Sequence, residues 1–269
     1  MRCLFCGVGE AFDSDRPNTS IHLHGPGQSL LLDCGFTAAA AFFRFAPDPL
    51  GLAAVYISHF HGDHFLGLPW LAVRFLEEGR SAPLTVVGQP GVADKVWACL
   101  DLAYPSFRGR ATFSLNFQEA EPGREIFAGG FGLRFARGEH STPCLAVRAE
   151  AEGAAIFYSG DGRPTPATRD LAQGADLVIQ EAYVLAPGHP GHGSVDEALV
   201  LAREAGAPRL ALVHLSRTLG VKERAALSAR LAAEPGMRAW LPEPGEILEL
   251  EKDIQNNGAF PPETPEDGK

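Results

Sequence analysis

The sequence predicts an α/β protein on two observations. Short apolar runs of strand length alternate with stretches whose apolar residues recur at helical spacing, and Gly or Pro separates them. The 269 residues are 45% hydrophobic and 21% charged, so the chain can bury a large core. We expect one domain over residues 1–252, with two similar halves within it as an alternative organisation.

The predicted elements alternate along the chain. Residues 145–149 and 155–159 form a predicted hairpin across Glu152-Gly153. The predicted helices cover residues 37–45, 66–77, 92–103 and 195–205. The predicted strands cover residues 3–8, 20–23, 29–35, 52–57, 84–88, 111–117, 131–136, 145–149, 155–159, 177–180 and 210–214.

The end of the chain has a different composition. From Asp253 onward, Asn256-Asn257-Gly258 and several prolines and acidic residues show no apolar periodicity. Such a segment cannot bury enough apolar surface to offset its ordering entropy. We therefore predict a flexible acidic and proline-rich tail over residues 253–269.

Charge and cysteine content restrict the class of protein. A formal charge of −10 disfavours a broad, non-specific grip on nucleic acid, although it leaves room for a local basic patch. Five cysteines, an odd number, suit reduced thiols in a cytosol. Cys3 and Cys6 lie three residues apart on one predicted strand, which directs their thiols to opposite faces and favours structural roles. The apolar runs are too short for membrane spans, so we expect a cytoplasmic protein without a membrane segment.

The most specific feature is the segment His59-Phe60-His61-Gly62-Asp63-His64, which follows the predicted strand over residues 52–57. It places four side chains able to bind a metal into six positions, and we expect it on the loop that leaves the strand. There His59 and His61 could share one ion, and Asp63 and His64 could serve a second. A solvated polar loop is the alternative, but the full spacing favours a metal site.

Three further candidates lie at or just past the ends of apolar segments: His140, Asp161 and His214. Strand ends on one edge of a sheet are where α/β proteins gather functional groups, so distant residues can meet there. Each alone would more simply be a hydrogen-bonded residue at the rim of the core. Asp33, at another strand end, is a candidate support for the ligands.

Five histidines and two aspartates without a thiolate suit zinc, manganese or iron. These ligands are too many for one tetrahedral ion. If Asp161 bridges, each of two ions keeps a position open for a shared, activated solvent molecule, and the net positive site suits a phosphodiester. Ion one would then take His59, His61 and His140, and ion two would take Asp63, His64 and His214. His22 and His24 alternate with apolar residues, and we assign them to the polar face of their strand.

In this order, the residues resemble the metallo-β-lactamase superfamily and, within it, the ribonuclease Z-like phosphodiesterases. The motifs that carry the resemblance are Asn18-Thr19-Ser20, Leu32-Asp33-Cys34-Gly35, the segment 58–64, Gly67-Leu68, Leu84-Thr85-Val86-Val87-Gly88, Ser159-Gly160-Asp161 and His214. The resemblance implies a four-layer αββα sandwich of two mixed sheets with the dinuclear site at one edge. It also suggests a homodimer.

Two more segments are similar to that group. Gln180-Glu181-Ala182-Tyr183 resembles its His-Glu-Ala-Thr segment, and Gly191-His192-Gly193-Ser194 resembles the segment with its proton-donating histidine. The resemblance implies that Glu181 orients His192, which protonates the leaving oxygen, and it makes Asp63 the third candidate catalytic residue. The alternative for this segment is a helix N-terminal loop that Ser194 caps. His189 competes with His192 for the acid role.

One departure affects the substrate. Ribonuclease Z proteins commonly insert a long arm that grips tRNA between the residues corresponding to His140 and Asp161, and here only 21 positions separate them. We therefore expect hydrolysis either of an RNA 3′ end of the tRNA type or of small or cyclic phosphodiesters. The alternatives are an acyl hydrolase, such as a thioesterase or lactonase, and a sensor that binds a ligand without catalysis.

Overall fold

The computed structural model describes residues 1–250, in which two β-sheets of seven strands each pack together. The predicted domain end at residue 252 and the predicted tail lie outside the described residues. The strands are β1 Arg2–Gly7, β2 Ser20–Gly25, β3 Gln28–Leu32, β4 Ala54–Ile57, β5 Leu84–Gly88, β6 Leu115–Glu119, β7 Glu125–Ala128, β8 Phe131–Arg137, β9 Leu145–Ala151, β10 Ala154–Tyr158, β11 Leu177–Glu181, β12 Arg209–Val213, β13 Arg238–Trp240 and β14 Ile247–Glu249.

Helices cover the outer faces of both sheets. The α-helices are α1 Ala38–Phe45, α2 Gly62–Phe65, α3 Leu68–Glu77, α4 Val92–Ala103, α5 Phe107–Arg110, α6 Pro166–Ala172, α7 Val195–Glu204 and α8 Arg224–Ala232. A 3₁₀ turn at Pro49–Gly51 and a π-helical segment at Thr218–Glu223 complete the helical structure of the described part of the chain.

Both sheets are mixed. The first has the strand order β14-β1-β2-β3-β4-β5-β6, parallel from β3 to β6 and antiparallel elsewhere. The second has the order β13-β12-β11-β10-β9-β8-β7, parallel from β13 to β10 and antiparallel from there to β7. As a result, β3 and β4 of one sheet and β8, β10, β11 and β12 of the other send their carboxyl ends to one edge.

Three apolar cores hold the layers together. One lies between the sheets and includes Phe5, Tyr56 and Ile156, which are fully buried. The second packs α1, α3, α4 and α5 on the first sheet, and the third packs α6, α7 and α8 on the second. Alternate strand residues contribute to different cores, because side chains point to opposite faces of a strand. This arrangement confirms the predicted αββα sandwich.

Cys3 and Cys6 show the same alternation. Cys3 lies in the core between the sheets, whereas Cys6 lies in the core under the helices. Both thiols are free and fully buried, which agrees with the structural roles predicted for them. Among residues 1–250, no helix combines the length and apolarity needed to cross a membrane.

The structure corrects several predicted elements. The strand expected over residues 111–117 begins only at Leu115, because Phe107 and Phe113 pack into the helix-side core from α5 and the turn after it. The helix expected over residues 66–77 starts at Leu68, and a separate short helix, α2, precedes it. The prediction from sequence also missed β7, α5, α6, α8, β13 and β14. Most of these are short, and α8 has only two large apolar residues, Leu227 and Leu231.

Candidate metal centre

The segment after β4 forms one side of the site. His59 and His61 lie on the loop that leaves the strand, as predicted, whereas Asp63 and His64 lie in the short helix α2. His59 and His64 are fully buried, and Asp63 is nearly so, while His61 is exposed at the mouth of the site. The loop and the helix turn together bring all four side chains toward the sheet edge.

The second sheet supplies the other side. His140, Asp161 and His214 follow β8, β10 and β12, whose carboxyl ends reach this same edge. His140 Nε2 lies 3.3 Å from His61 Nδ1. The seven predicted side chains therefore meet in two overlapping groups whose ligand atoms lie within 4.8 Å of one another: His59, His61, His140 and Asp161, and Asp63, His64, Asp161 and His214.

Asp161 belongs to both groups, and its two oxygens face different neighbours. Oδ1 lies 3.2 Å from His64 Nε2, while Oδ2 lies 3.5 Å from His214 Nε2 and 4.0 Å from His59 Nε2. Asp63 Oδ2 in turn lies 3.2 Å from both His64 Nε2 and His214 Nε2. The arrangement gives a carboxylate between two sets of imidazoles.

The donor atoms fit divalent cations. His59 Nε2, His64 Nε2 and Asp161 Oδ1 are buried and have no hydrogen-bond partner within residues 1–250, which is costly unless something else satisfies them. The outer ring nitrogens of two histidines are engaged instead: His64 Nδ1 donates to Asp33 at 2.7 Å, and His140 Nδ1 donates to the Gly191 carbonyl at 2.6 Å. Hydrogen bonds of this kind fix the tautomer that leaves the inner nitrogen free for a metal ion.

Asp33 supports the ligands from the first sheet, as predicted. Its buried carboxylate accepts hydrogen bonds from the Ser58 amide at 2.7 Å, the Ser58 hydroxyl at 2.7 Å and the Tyr158 hydroxyl at 2.6 Å, besides His64. Because Ser58 donates its proton to Asp33, its oxygen accepts from His59 Nδ1 at 3.0 Å. One carboxylate thus orients two histidines. Asp33 and His214 also hold φ angles of 60° and 57°, which are uncommon for residues other than glycine and typical of functional sites.

Sequence reasoning missed Ser58 and Tyr158. Ser58 directly precedes the histidine segment, which was a usable signal, but Tyr158 reaches Asp33 only because β10 lies across the interface between the sheets. Gly160 is another such residue. With φ at 60°, a Cβ there would approach the Ser58 Cβ to 2.7 Å and the Cys144 sulfur to 2.8 Å, so only glycine lets Asp161 enter between the sheets.

The charges of the cluster are strongly coupled. Burial lowers the pKa of His59, and the neighbouring His64 lowers it further. Burial also opposes a charge on His214, but Asp161 and the contact with Asp63 outweigh it and raise the pKa of His214 to about 9. Burial would raise the pKa of Asp161, yet His214 and His64 bring it well below its usual value. Positive charge is therefore stabilised here, whether protons or metal ions carry it.

Glu181 and His192 lie beside the cluster. Glu181 ends β11 with a buried carboxylate, whose Oε1 accepts from the Gly162 amide at 2.9 Å and the Gly193 amide at 2.8 Å. His192 Nδ1 lies 3.3 Å from the same oxygen, and its ring centroid is 5.1 Å from that of His140. Glu181, His192 and His214 form a third group within 4.8 Å.

The alternative interpretation of the His192 segment also holds. The Ser194 hydroxyl accepts the Glu197 amide hydrogen at 3.2 Å and caps α7, so the loop both starts a helix and presents a histidine. His189 lies 5.2 Å from His192, ring to ring, and one of its nitrogens is buried without a partner. Of the two histidines, His192 has the contact with the carboxylate.

His22 and His24 lie elsewhere, in β2 of the first sheet. Their assignment to a polar face is wrong for His22, which is only 2% exposed because Phe42 of α1 covers it at 5.1 Å between ring centroids. The His24 ring stacks on His22 at 4.8 Å. Neither belongs to a metal-competent group of the described residues.

Comparison with known proteins shows which proteins this chain is similar to. The chain is 27% identical to ribonuclease Z of Methanothermobacter thermautotrophicus, over 80% of this chain and 87% of the relative. Human tRNase Z, short form, superposes with a TM-score of 0.77 at 22% identity, over 94% of this chain and all of that one. The metallo-β-lactamase fold protein YhfI of Bacillus subtilis gives a TM-score of 0.74 at 24% identity, over 92% and 99%.

These similarities confirm the resemblance drawn from the motifs, namely a ribonuclease Z-like protein with the metallo-β-lactamase fold. A family match adds to it, since residues 1–233 match the family described as Anti-Pycsar protein Apyc1. That range contains both sheets except for β13 and β14, together with every candidate site residue. The chain therefore belongs to the Apyc1 family of anti-Pycsar proteins.

Proposed function

We propose that this protein is a metal-dependent phosphodiesterase that uses two divalent ions. The observation that carries the proposal is the position of the Glu181–His192 pair, which adds a proton-transfer group to a cluster already able to hold metal. Zinc is the first choice of metal, with manganese or iron as alternatives, because nitrogen and oxygen ligands suit all three.

The proposed ligand assignment follows the two groups. His59, His61 and His140 would hold the first ion, and Asp63, His64 and His214 would hold the second. Asp161, which belongs to both groups, would serve both ions. When bound, a pair of divalent ions supplies Lewis-acid stabilisation of oxyanions and activates water at neutral pH.

The rest of the chemistry belongs to the protein's own side chains. Glu181, held by backbone amides, fixes the Nδ1 side of His192, so that Nε2 is left to give a proton to the leaving oxygen. Asp63 Oδ2 lies 3.2 Å from the Nε2 atoms of both His64 and His214, so these three side chains would face the same ion. Two divalent ions would bring four positive charges and the two carboxylates among their proposed ligands, Asp63 and Asp161, would remove two, so the ions with their ligands would attract an anionic diester.

Relatives support hydrolysis of a phosphodiester. The matched relatives include proteins named ribonuclease Z and ribonuclease BN, and a diphosphatase of the PhnP family shares the fold with a TM-score of 0.71. An acyl hydrolase has less need of a separate acid to protonate a poor alkoxide leaving group. The Glu181–His192 pair thus favours a phosphodiesterase over the acyl alternatives.

We further propose small nucleotide diesters, cyclic ones included, in preference to tRNA. The interval between His140 and Asp161 is filled by the β9–β10 hairpin, whose register pairs Ala151 with Ala154 across a tight turn. All residues of that interval are described, and the hairpin leaves no segment for a tRNA-gripping arm. The formal charge of −10 also disfavours a long polyanion.

A turnover panel tests the proposal. The protein, loaded with zinc or manganese, is assayed against bis-p-nitrophenyl phosphate, cyclic nucleotides, a precursor tRNA and, as the acyl alternative, a thioester and a lactone. We expect turnover of the first two classes and little cleavage of the tRNA. Faster cleavage of the tRNA would overturn the substrate preference, and turnover confined to the acyl substrates would overturn the phosphodiesterase proposal.

The homodimer stays a prediction, which light scattering on the purified protein tests.

A further inference from the structure

Tyr183 stands directly against His192. The two ring centroids are 4.7 Å apart with an interplanar angle of 28°, a stacked arrangement. Tyr183 lies two residues after Glu181, where the similar segment of ribonuclease Z proteins carries threonine, so an aromatic ring at this point is a feature of this chain. A threonine could not stack on the imidazole.

His192 needs such a support. It is flanked by Gly191 and Gly193, which bring no side chains to restrict it, and Gly191 adopts a φ of 75°. Within the described chain the imidazole makes one hydrogen bond, to Glu181 at a long 3.3 Å, and 21% of the side chain is exposed. One long hydrogen bond does not fix the orientation of the ring, and the rings of His140, His189 and His214, with centroids 5.1, 5.2 and 5.9 Å away, all lie farther from it than the Tyr183 ring.

Tyr183 itself is firmly anchored. Its amide hydrogen is shared between Glu181 Oε2 at 3.1 Å and the Gly193 carbonyl at 3.0 Å, and its own carbonyl accepts from the Ser216 amide at 3.1 Å. The residue is thus tied to both Glu181 and the segment that carries His192. The backbone from which its ring extends therefore has a fixed position relative to the carboxylate that the imidazole must meet.

We propose that Tyr183 is a positioning residue for His192, a role that rests on the proposed function of His192 as the proton donor. The phenol ring holds the imidazole in the plane in which Nδ1 meets Glu181 and Nε2 gives its proton to the leaving oxygen. The ring face, and not the hydroxyl, performs this role. Positioning errors of about 1 Å can reduce a rate by about 10²-fold, so a lost stacking partner has a measurable effect.

The test compares two substrates that differ in their need for an acid. Hydrolysis of a nucleotide diester expels an alkoxide, which must be protonated. Hydrolysis of bis-p-nitrophenyl phosphate expels a stable p-nitrophenolate, which can leave without a proton. For Tyr183→Leu and Tyr183→Thr, we expect kcat to fall by about tenfold on the nucleotide diester that the wild type turns over fastest. On bis-p-nitrophenyl phosphate the fall stays below about twofold, and KM is unchanged. Tyr183→Phe, which keeps the ring, restores wild-type kcat on both.

Controls separate positioning from general damage. Tyr104→Leu, a tyrosine substitution at the end of α4, is expected to leave both rates unchanged. Metal content and Tm are measured for every variant, since a merely structural role would reduce both substrates together with metal or stability. An equal loss on the two substrates, or a loss in Tyr183→Phe as large as in Tyr183→Leu, would overturn the role of the ring.

His192→Ala distinguishes this inference from the proposed function. If that variant shows the leaving-group-selective loss and Tyr183→Leu does not, the positioning role is wrong while the proton donor stands. If His192→Ala shows no selective loss, the proton donor is wrong, and the role of Tyr183 is overturned with it.

Discussion

Two groups of histidines lie on the first sheet and its edge, and they differ in their neighbours. In the part of the chain that the structure describes, both groups contain buried ring nitrogens without a hydrogen-bond partner: His59 and His64 in the metal centre, and His22 and His24 in β2. In the centre, Asp161 and Asp33 hold the pKa of His64 above its usual value. In β2, burial lowers the pKa of His22 to about 3, and burial together with Arg2 and the N-terminus lowers that of His24.

The difference teaches that histidine density alone does not make a metal site. A cation needs compensating negative charge and imidazoles whose outer nitrogens are fixed, and the centre has both in Asp33, Asp63 and Asp161. In β2, the His22 side chain hydrogen-bonds with Ser29 at 2.9 Å, and among residues 1–250 no carboxylate completes a metal-competent group with it. The β2 pair is therefore a stacked, neutral part of the packing under α1.

The largest expected effect tests which group holds metal. Asp161→Asn removes the charge that the two ligand groups share, and we expect metal content to fall below two per chain and turnover to fall by about 10³-fold or more. Elemental analysis measures the metal content, and an assay with a nucleotide diester measures the turnover. His24→Gln is the matched control, since it should leave the metal content unchanged. Equal metal loss in the two variants would break the comparison.

A second substitution separates histidines that bind metal from one that transfers a proton. His192→Ala should lower nucleotide diester turnover by about 10²-fold or more, because general acid catalysis contributes about that factor. The metal content should stay at the wild-type value, as measured on the same preparation. Unchanged turnover would remove His192 from the mechanism, and His189→Ala would then test the competing histidine.

A third substitution tests the carboxylate behind the ligands. Asp33→Asn removes the acceptor that orients His64 directly and His59 through Ser58, and we expect metal affinity to fall by about 10–100-fold. Competition with a chelator measures the affinity. Asp48→Asn, at an exposed carboxylate near the β2 pair, serves as the control. An affinity equal to the wild type would show that the ligands orient themselves without Asp33.

The smallest effect concerns the β2 pair and pH. Because the pKa of His22 is about 3 in the folded protein and near 6.5 in the unfolded chain, the unfolded state binds more protons between these values. The contribution of His22 to stability is thus complete above pH 6.5 and is lost as the pH falls toward 3. Between pH 7 and 5.5 this amounts to about 1 kcal/mol of unfolding free energy.

Urea unfolding of the wild type and His22→Gln measures this pH dependence. A chelator is present in both cases, so that the metal-free centre adds the same pH dependence to the two proteins. We expect His22→Gln to lose about 1 kcal/mol less than the wild type over this interval, whatever its stability at pH 7. Parallel pH dependences would mean that His22 is as readily protonated in the folded protein as in the unfolded chain.

Much of the fold was predictable because its signals are local. The buried strands β4, β5, β11 and β12 are continuous apolar runs, and α4 and α7 have clear helical spacing, so their predicted limits agree with the structure to within a residue or two at most ends. The strands β13 and β14 have three residues each, and the apolar residues of α8 are mostly alanines with only two leucines, so their identity depends on packing partners rather than on pattern.

For the site, the available side chains and their approximate places can be read from the sequence. Residues 59–64 are close because they are near neighbours in the chain, and His140, Asp161 and His214 mark strand ends that a parallel arrangement brings to one edge. The contacts that each side chain makes follow from the packing of the two sheets. The two oxygens of Asp161 face different histidines, Tyr158 reaches Asp33 across 125 positions of sequence, and Tyr183 stacks on His192. The reason is physical: covalent spacing fixes neighbours along a segment, whereas contacts between segments depend on how two sheets pack.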